Sequence, residues 1–174
     1  MKDGKVLPLD QWTLTGKVAG GELIGANRVQ VTGDYAIVGG SYSAEGRTQA
    51  EKARGAKVTG NMAVVNISDP AKPAIVAAVP FSDVRGPNGL TIAGKVVFCA
   101  GRQSVDAYDI SDPEKPAHLA GQHFPRYKKD AKRTDNYHDL IYRDGYLYIS
   151  AQTDNGFLVL RVNDKRIRKL ADLK

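Results

Sequence analysis

Cysteine is nearly missing from this sequence, since Cys99 is the one thiol among 174 residues. A single cysteine excludes an internal disulfide and a zinc site built from several thiolates. No stretch approaches the roughly eighteen consecutive apolar residues that a membrane-spanning helix needs. The first residues also lack the apolar core of a signal peptide. These absences favour a domain that is stabilised by its own apolar core.

Catalytic motifs are missing as well. The sequence has no Gly-x-Ser-x-Gly elbow, no glycine-rich phosphate loop and no His-Glu-x-x-His pair. Helical periodicity is also missing, because the one helix-compatible segment, residues 45–56, has no apolar face. With 42% hydrophobic and 25% charged residues, the composition is that of an ordinary globular domain. We therefore expect one domain made of strands.

Two ordered motifs recur three times along the chain. The letters ISDPAKP at residues 67–73 return as ISDPEKP at residues 110–116, and a weaker copy, VNDK, lies at residues 162–165. Earlier in each unit, two short apolar runs flank a turn dipeptide, over residues 29–38, 90–99 and 140–149. Tandem units that recur at a spacing of roughly 40–50 residues indicate a repeat fold.

Each unit is predicted to contain four short strands. Gly33-Asp34, Gly94-Lys95 and Asp144-Gly145 are dipeptides that favour two-residue hairpins between the first and second strands. The third strand ends at Ser-Asp-Pro, because the aspartate bonds its own backbone and proline cannot donate to a ladder. Four-stranded units of 40–50 residues are typical of β-propeller blades. The predicted fold class is all-β, with about three four-stranded antiparallel blades.

The Ile-Ser-Asp-Pro motif resembles the repeat motif of the LVIVD-repeat propellers, and the resemblance covers roughly residues 27 to 170. In that family a hydrophobic third strand ends in aspartate, as at Asp109, whereas this sequence departs from the pattern at Asn66 and Arg161. The resemblance implies a scaffold without one assigned chemistry. It also implies an extracytoplasmic location, in the periplasm or at the cell surface.

The chain divides into one partial propeller domain over residues 1–174. We assign residues 11–26 to a leading outer strand and loop, and residues 27–80, 81–123 and 124–174 to three blades. Three blades do not close a ring, because propellers have about four to eight. Either the chain belongs to a longer propeller with further blades, or it associates with copies of itself.

One face of the predicted propeller is elaborated. In an up-and-down blade, both long insertions, residues 43–60 and 124–137, emerge on the same side, whereas the other side carries short turns. The net charge is +2 over residues 43–60 and +3 over residues 124–138. This basic loop face is expected to attract a protein or an anionic ligand, while nucleic acid is not expected.

The candidate ligand-binding residues lie on this face. Asn27, Asn88 and His138 are equivalent positions at the entry of the first strand of each blade. The remaining candidates are basic loop residues: Arg85, Arg126, Lys128 and Lys129. The three strand-entry residues also have a purely structural interpretation, as side chains that satisfy a neighbouring loop backbone. For Arg85 the structural interpretation is a loop ion pair with Asp83, and for the other basic residues it is a solvated loop.

The sequence therefore predicts a non-enzymatic binding scaffold with no cofactor and no metal. The alternative is a propeller hydrolase or lyase, with a metal held near the central channel by Asn27, Asn88, His138 and ligands from blades absent from this sequence. A third possibility is a polyanion binder that uses residues 124–137. Cys99 is expected to be an inert core residue, and His118 is expected at the exposed outer edge of a blade.

Overall fold

The protein is mostly β, as expected. A computed structural model describes residues 13–23, 25–41, 51, 60–82, 86–102, 104–124, 137–151 and 156–173. The strands in these residues form three antiparallel sheets, and each sheet is built from strands that follow one another in the chain. The sheets match the three predicted repeat units. They form no closed ring within the described residues.

The first and second sheets have four strands each, in the order of the sequence. The strands of the first sheet are β1 Ala26–Thr32, β2 Tyr35–Gly40, β3 Asn61–Asn66 and β4 Ala74–Pro80. Those of the second sheet are β5 Gly89–Ala93, β6 Val96–Ala100, β7 Ser104–Asp109 and β8 Ala117–His123. The prediction of four strands per unit is confirmed for these two repeats.

The third sheet has three strands, so the prediction of a fourth is wrong here. Its strands are β9 Tyr137–Arg143, β10 Tyr146–Ala151 and β11 Gly156–Arg161. The chain then forms the helix α1, Lys165–Ala171, which the sequence did not predict. Asp164 caps this helix, because its carboxylate accepts hydrogen bonds from the backbone N–H groups of Arg166 and Ile167. These two bonds lower the pKa of Asp164. Seven residues are too few to show a helical period.

The same backbone hydrogen bond closes each of the three units. The residue after the third strand donates its N–H to the second residue of the predicted hairpin turn. The bonds are Ile67 to Asp34 at 2.8 Å, Ile110 to Lys95 at 2.8 Å and Val162 to Gly145 at 2.9 Å. Gly33 and Gly94 have positive φ angles in these turns, which is the conformation that glycine adopts at no steric cost. The repeat is thus present in the backbone as well as in the sequence.

The sheets pack face to face through two apolar clusters. Side chains alternate across a strand, so the odd and even positions of β6 point to opposite faces. Val97 and Cys99 lie in the cluster shared with the first sheet, whereas Val96 and Phe98 lie in the cluster shared with the third. The second sheet is therefore covered on both faces. Along one edge, β5 contacts both β1 and β9, so the first strands of the three sheets lie side by side.

The predicted leading strand is not present in the described residues. Residues 13–20 belong to no strand, and residues 11 and 12 lie outside the described part of the chain. Gly16 contacts the turn at Pro70 and Pro73, and Gly20 contacts Ile75 on β4. The segment therefore follows the first sheet without adding to its ladder.

Candidate functional site

The first strands of the three sheets begin on one side of the molecule. β5 and β9 approach closely at this point, since a Cβ atom at Gly89 would lie 2.7 Å from the carbonyl oxygen of His138. Only glycine fits a backbone contact of this kind. The strand entries, and the side chains that they carry, are thereby held together.

Asn27 and Arg28 form the entry of β1. The Asn27 amide donates a hydrogen bond of 2.7 Å to the hydroxyl of Ser41, which follows β2. The Arg28 guanidinium donates to the backbone carbonyl of Asn27 at 3.0 Å and to that of His138 at 3.5 Å. Arg28 therefore joins the entries of the first and third sheets, a role that the sequence analysis did not assign to it.

Asn88 and His138 occupy the corresponding entries of β5 and β9. The backbone N–H of Asn88 donates to the carbonyl of Ala100 at 2.8 Å, so the entry is fixed to the end of β6. Both side chains are half-buried, whereas Asn27 and Asp139 are exposed. The structure thus places the three equivalent predicted residues at the entries of neighbouring strands, with a carboxylate beside His138.

The ends of the long loops lie on this same side. Gly86 packs against the backbone of Gly40, the last residue of β2, and of Gly60, the residue before β3. Tyr137, the last residue of the second insertion, donates its N–H to the carbonyl of Gly101 at 3.0 Å. The candidates Arg85, Arg126, Lys128 and Lys129 lie outside the described residues, as do residues 42–50 and 52–59 of the first insertion.

A second polar group lies between the first two sheets, and the sequence analysis missed it. Asp106 on β7 is completely buried. Its carboxylate accepts a hydrogen bond of 2.5 Å from the Ser82 hydroxyl and lies 2.8 Å from Nε2 of His118. His118 was expected at an exposed edge and is indeed half-exposed, but its ring is fixed by Asp106.

This group has the composition of a hydrolytic triad without its geometry. In a triad the histidine lies between the hydroxyl and the carboxylate, whereas here Asp106 lies between Ser82 and His118. The serine therefore has no histidine beside it, and Asp106 instead joins β7 to β8 through His118 and to the β4–β5 connection through Ser82. A signal was present in the sequence: the repeat equivalents of Asp106 are Ala63 and Leu158, so a carboxylate interrupts an apolar position.

Cys99 and Tyr108 complete the surroundings of Asp106. Burial raises the pKa of the Cys99 thiol, and Asp106 adds to the shift. Burial likewise raises the pKa of Tyr108, whose hydroxyl donates to the Pro80 carbonyl at 2.9 Å. Both groups stay protonated near neutral pH. Cys99 is buried, which confirms the prediction that it is a core residue.

The described residues contain no cluster of three or more histidine, cysteine, aspartate or glutamate side chains that could hold a metal ion. Within the same residues, no helix is long and apolar enough to cross a membrane.

Comparison with known proteins adds no relative, since no family model and no curated protein matches the chain. The resemblance to LVIVD repeats therefore stays a prediction that rests on the repeated Ile-Ser-Asp-Pro motif.

Proposed function

We propose that this chain is a non-enzymatic binding scaffold of propeller blades, with an acidic protein or anionic ligand bound on its basic loop face. One observation carries the proposal: the entries of β1, β5 and β9 meet on the side from which both basic insertions leave the sheets. The LVIVD type of the blades and an extracytoplasmic location belong to the same proposal, and the Ile-Ser-Asp-Pro repeats support them.

The entries of β1, β5 and β9 form a polar surface that is held in place by hydrogen bonds. Arg28 donates its hydrogen bonds to two backbone carbonyls, so it positions the entries rather than offering a free charge. The attraction for an anion comes from the insertions, whose combined net charge is +5. Charge of one sign around a shared face raises the local concentration of an acidic partner and speeds its association.

The chain also offers a matched control surface. Residues 165–174 carry a net charge of +4, and the exposed Lys165 and Lys169 lie on α1. The carbonyl of Leu170 accepts a hydrogen bond from Lys95 in the β5–β6 turn, at the end of the sheets opposite to the insertions. Removing two lysine charges from α1 therefore changes the net charge as much as removing two from the loop face, but at the opposite end of the sheets.

The test is binding of a labelled heparin oligosaccharide at several salt concentrations. We expect K128Q/K129Q to weaken binding about tenfold and to reduce its salt dependence, because fewer counterions are released. The control K165Q/K169Q changes the net charge equally and should bind like the unsubstituted chain. If both variants lost the same heparin affinity, binding would depend on the net charge of the chain and not on the loop face. If the unsubstituted chain did not bind heparin even at low salt, an anion-binding face would be rejected.

A further inference from the structure

The outer face of the third sheet is an exposed apolar surface. Phe157, Ile141 and Val159 project from it and are more than half exposed. Together with Tyr148, Phe157 and Ile141 line an open depression on this face. A patch of this kind on a folded domain marks an interaction site.

The repeat identifies what covers this surface. Phe157 corresponds to Val105 in the second sheet, which is 6% exposed because the third sheet packs on it, whereas Phe157 is 68% exposed. The open face is therefore the equivalent of a face that another sheet of this fold covers.

The complementary face lies at the other end of the same chain. Val29 on β1 corresponds to Leu90 and Leu140, and each of these leucines packs on the preceding sheet. Both leucines are 2% exposed, but Val29 is 61% exposed. The described part of the chain thus presents one open face of each kind, and these are the two faces that a second copy would cover.

The third sheet also lacks its outermost strand. Among the described residues, β11 pairs only with β10, so one edge of β11 is open. A cavity of about 400 Å³ runs between β8 and β11, bordered by Gly121, Phe124 and Leu160. A fourth strand added to β11 would run along this cavity.

Residues 13–18 are the candidate for that strand. They form no ladder in their own chain, they follow the first sheet at Pro70 and Pro73, and Leu14 is largely exposed. They precede β1 as β4 precedes β5 and β8 precedes β9. When a second copy places its first sheet on the open face, its residues 13–18 arrive beside β11.

We propose that two copies assemble head to tail around a two-fold axis, so that the third sheet of each packs on the first sheet of the other. Residues 13–18 of each copy then add to β11 of its partner as a fourth strand. Two such contacts close a ring of six four-stranded sheets, in which each sheet face is covered by a neighbouring sheet.

The first experiment measures the mass of the full chain in solution by light scattering over a range of concentrations. We expect twice the chain mass of 18.8 kDa, and a dimer that F157K weakens about thirtyfold or more, as for a central interface residue. The control L173K introduces the same charge at another exposed apolar residue, two positions after the end of α1, and should leave the dimer unchanged. A monomer at all concentrations, a dimer that F157K leaves intact, or an open series of oligomers would each overturn the proposal.

The second experiment tests the added strand by hydrogen exchange. Amides of residues 13–18 and of β11 should become protected at dimer-forming concentrations and lose that protection in F157K. Amides of β6, buried in both states, serve as the internal reference. A dimer without protection over residues 13–18 would overturn the strand addition.

Discussion

The second and third sheets carry the same repeat in different surroundings. Val105 of the second sheet is buried in the cluster shared with the third, whereas its repeat equivalent Phe157 projects from a face of the third sheet that the described residues leave open. The second sheet has a neighbour on each side and the third has one. Burial of a repeat position is therefore decided by the neighbouring sheet and not by the residue that occupies it.

The two sheets also differ in the element that comes after their third strand. In both, an aspartate accepts a hydrogen bond from the backbone N–H two residues later: Asp112 from Glu114, and Asp164 from Arg166. Four residues after the aspartate, the second sheet has Pro116 and the third has Arg168. Arg168 donates its N–H to the Asp164 carbonyl at 3.1 Å, which proline cannot do. The same aspartate turn is therefore followed by a strand in the second unit and by a helix in the third.

The largest expected effect comes from emptying the shared cluster. F98A should lower the free energy of unfolding by about 3–5 kcal/mol, because it leaves a cavity between two sheets. F157A, which removes the same side chain from the open face, should cost less than about 1 kcal/mol at the lowest protein concentration. Urea denaturation measures both values. Equal losses would mean that the outer face of the third sheet is covered within the chain.

The next effect concerns the helix. R168P should cost about 3 kcal/mol, because it removes a helical hydrogen bond and its ring clashes with the preceding turn. R168A removes the same side chain but keeps the N–H, so it separates the backbone effect from lost packing. Urea denaturation and far-ultraviolet circular dichroism measure the outcome. If R168P and R168A were equally stable, the proline at this position would not explain why only the third unit forms a helix.

The smallest expected effect appears at high pH. Tyr142 of the third sheet stacks on Phe98 at 5.2 Å, and burial, with a hydrogen bond to Asp172, raises the pKa of its phenol to about 12. The folded chain holds this proton more tightly than the unfolded chain, whose phenol has a pKa near 10.0. The resulting stabilisation is complete below about pH 10 and is lost as the pH rises to about 12.

The matched variant for this test is Y142F, which lacks the titrating group. Between about pH 10 and pH 12, the urea midpoint of the unsubstituted chain should fall more steeply than that of Y142F. Parallel curves for the two proteins would show that Tyr142 titrates alike in the folded and unfolded chains.

Much of the fold could be read from the sequence because its signals are local. The turn dipeptides, the alternation of apolar residues and the Ser-Asp-Pro ends predicted the strands of all three sheets close to their observed bounds. The equivalence of Asn27, Asn88 and His138 came from the same alignment. Arg28 escaped notice because its role depends on the carbonyl of His138, which is 110 residues away in the chain.

Patterns among neighbouring residues were enough to define the repeat, its turns and the side of the sheets from which the basic insertions leave. Folding in three dimensions was needed to show that Asp106 is a buried link to Ser82 and His118. It was also needed to show that, among the described residues, the third sheet has three strands while residues 13–20 join no ladder. Burial and hydrogen-bond partners are set by the sheet packed alongside, and packing between sheets leaves no short-range mark in the chain.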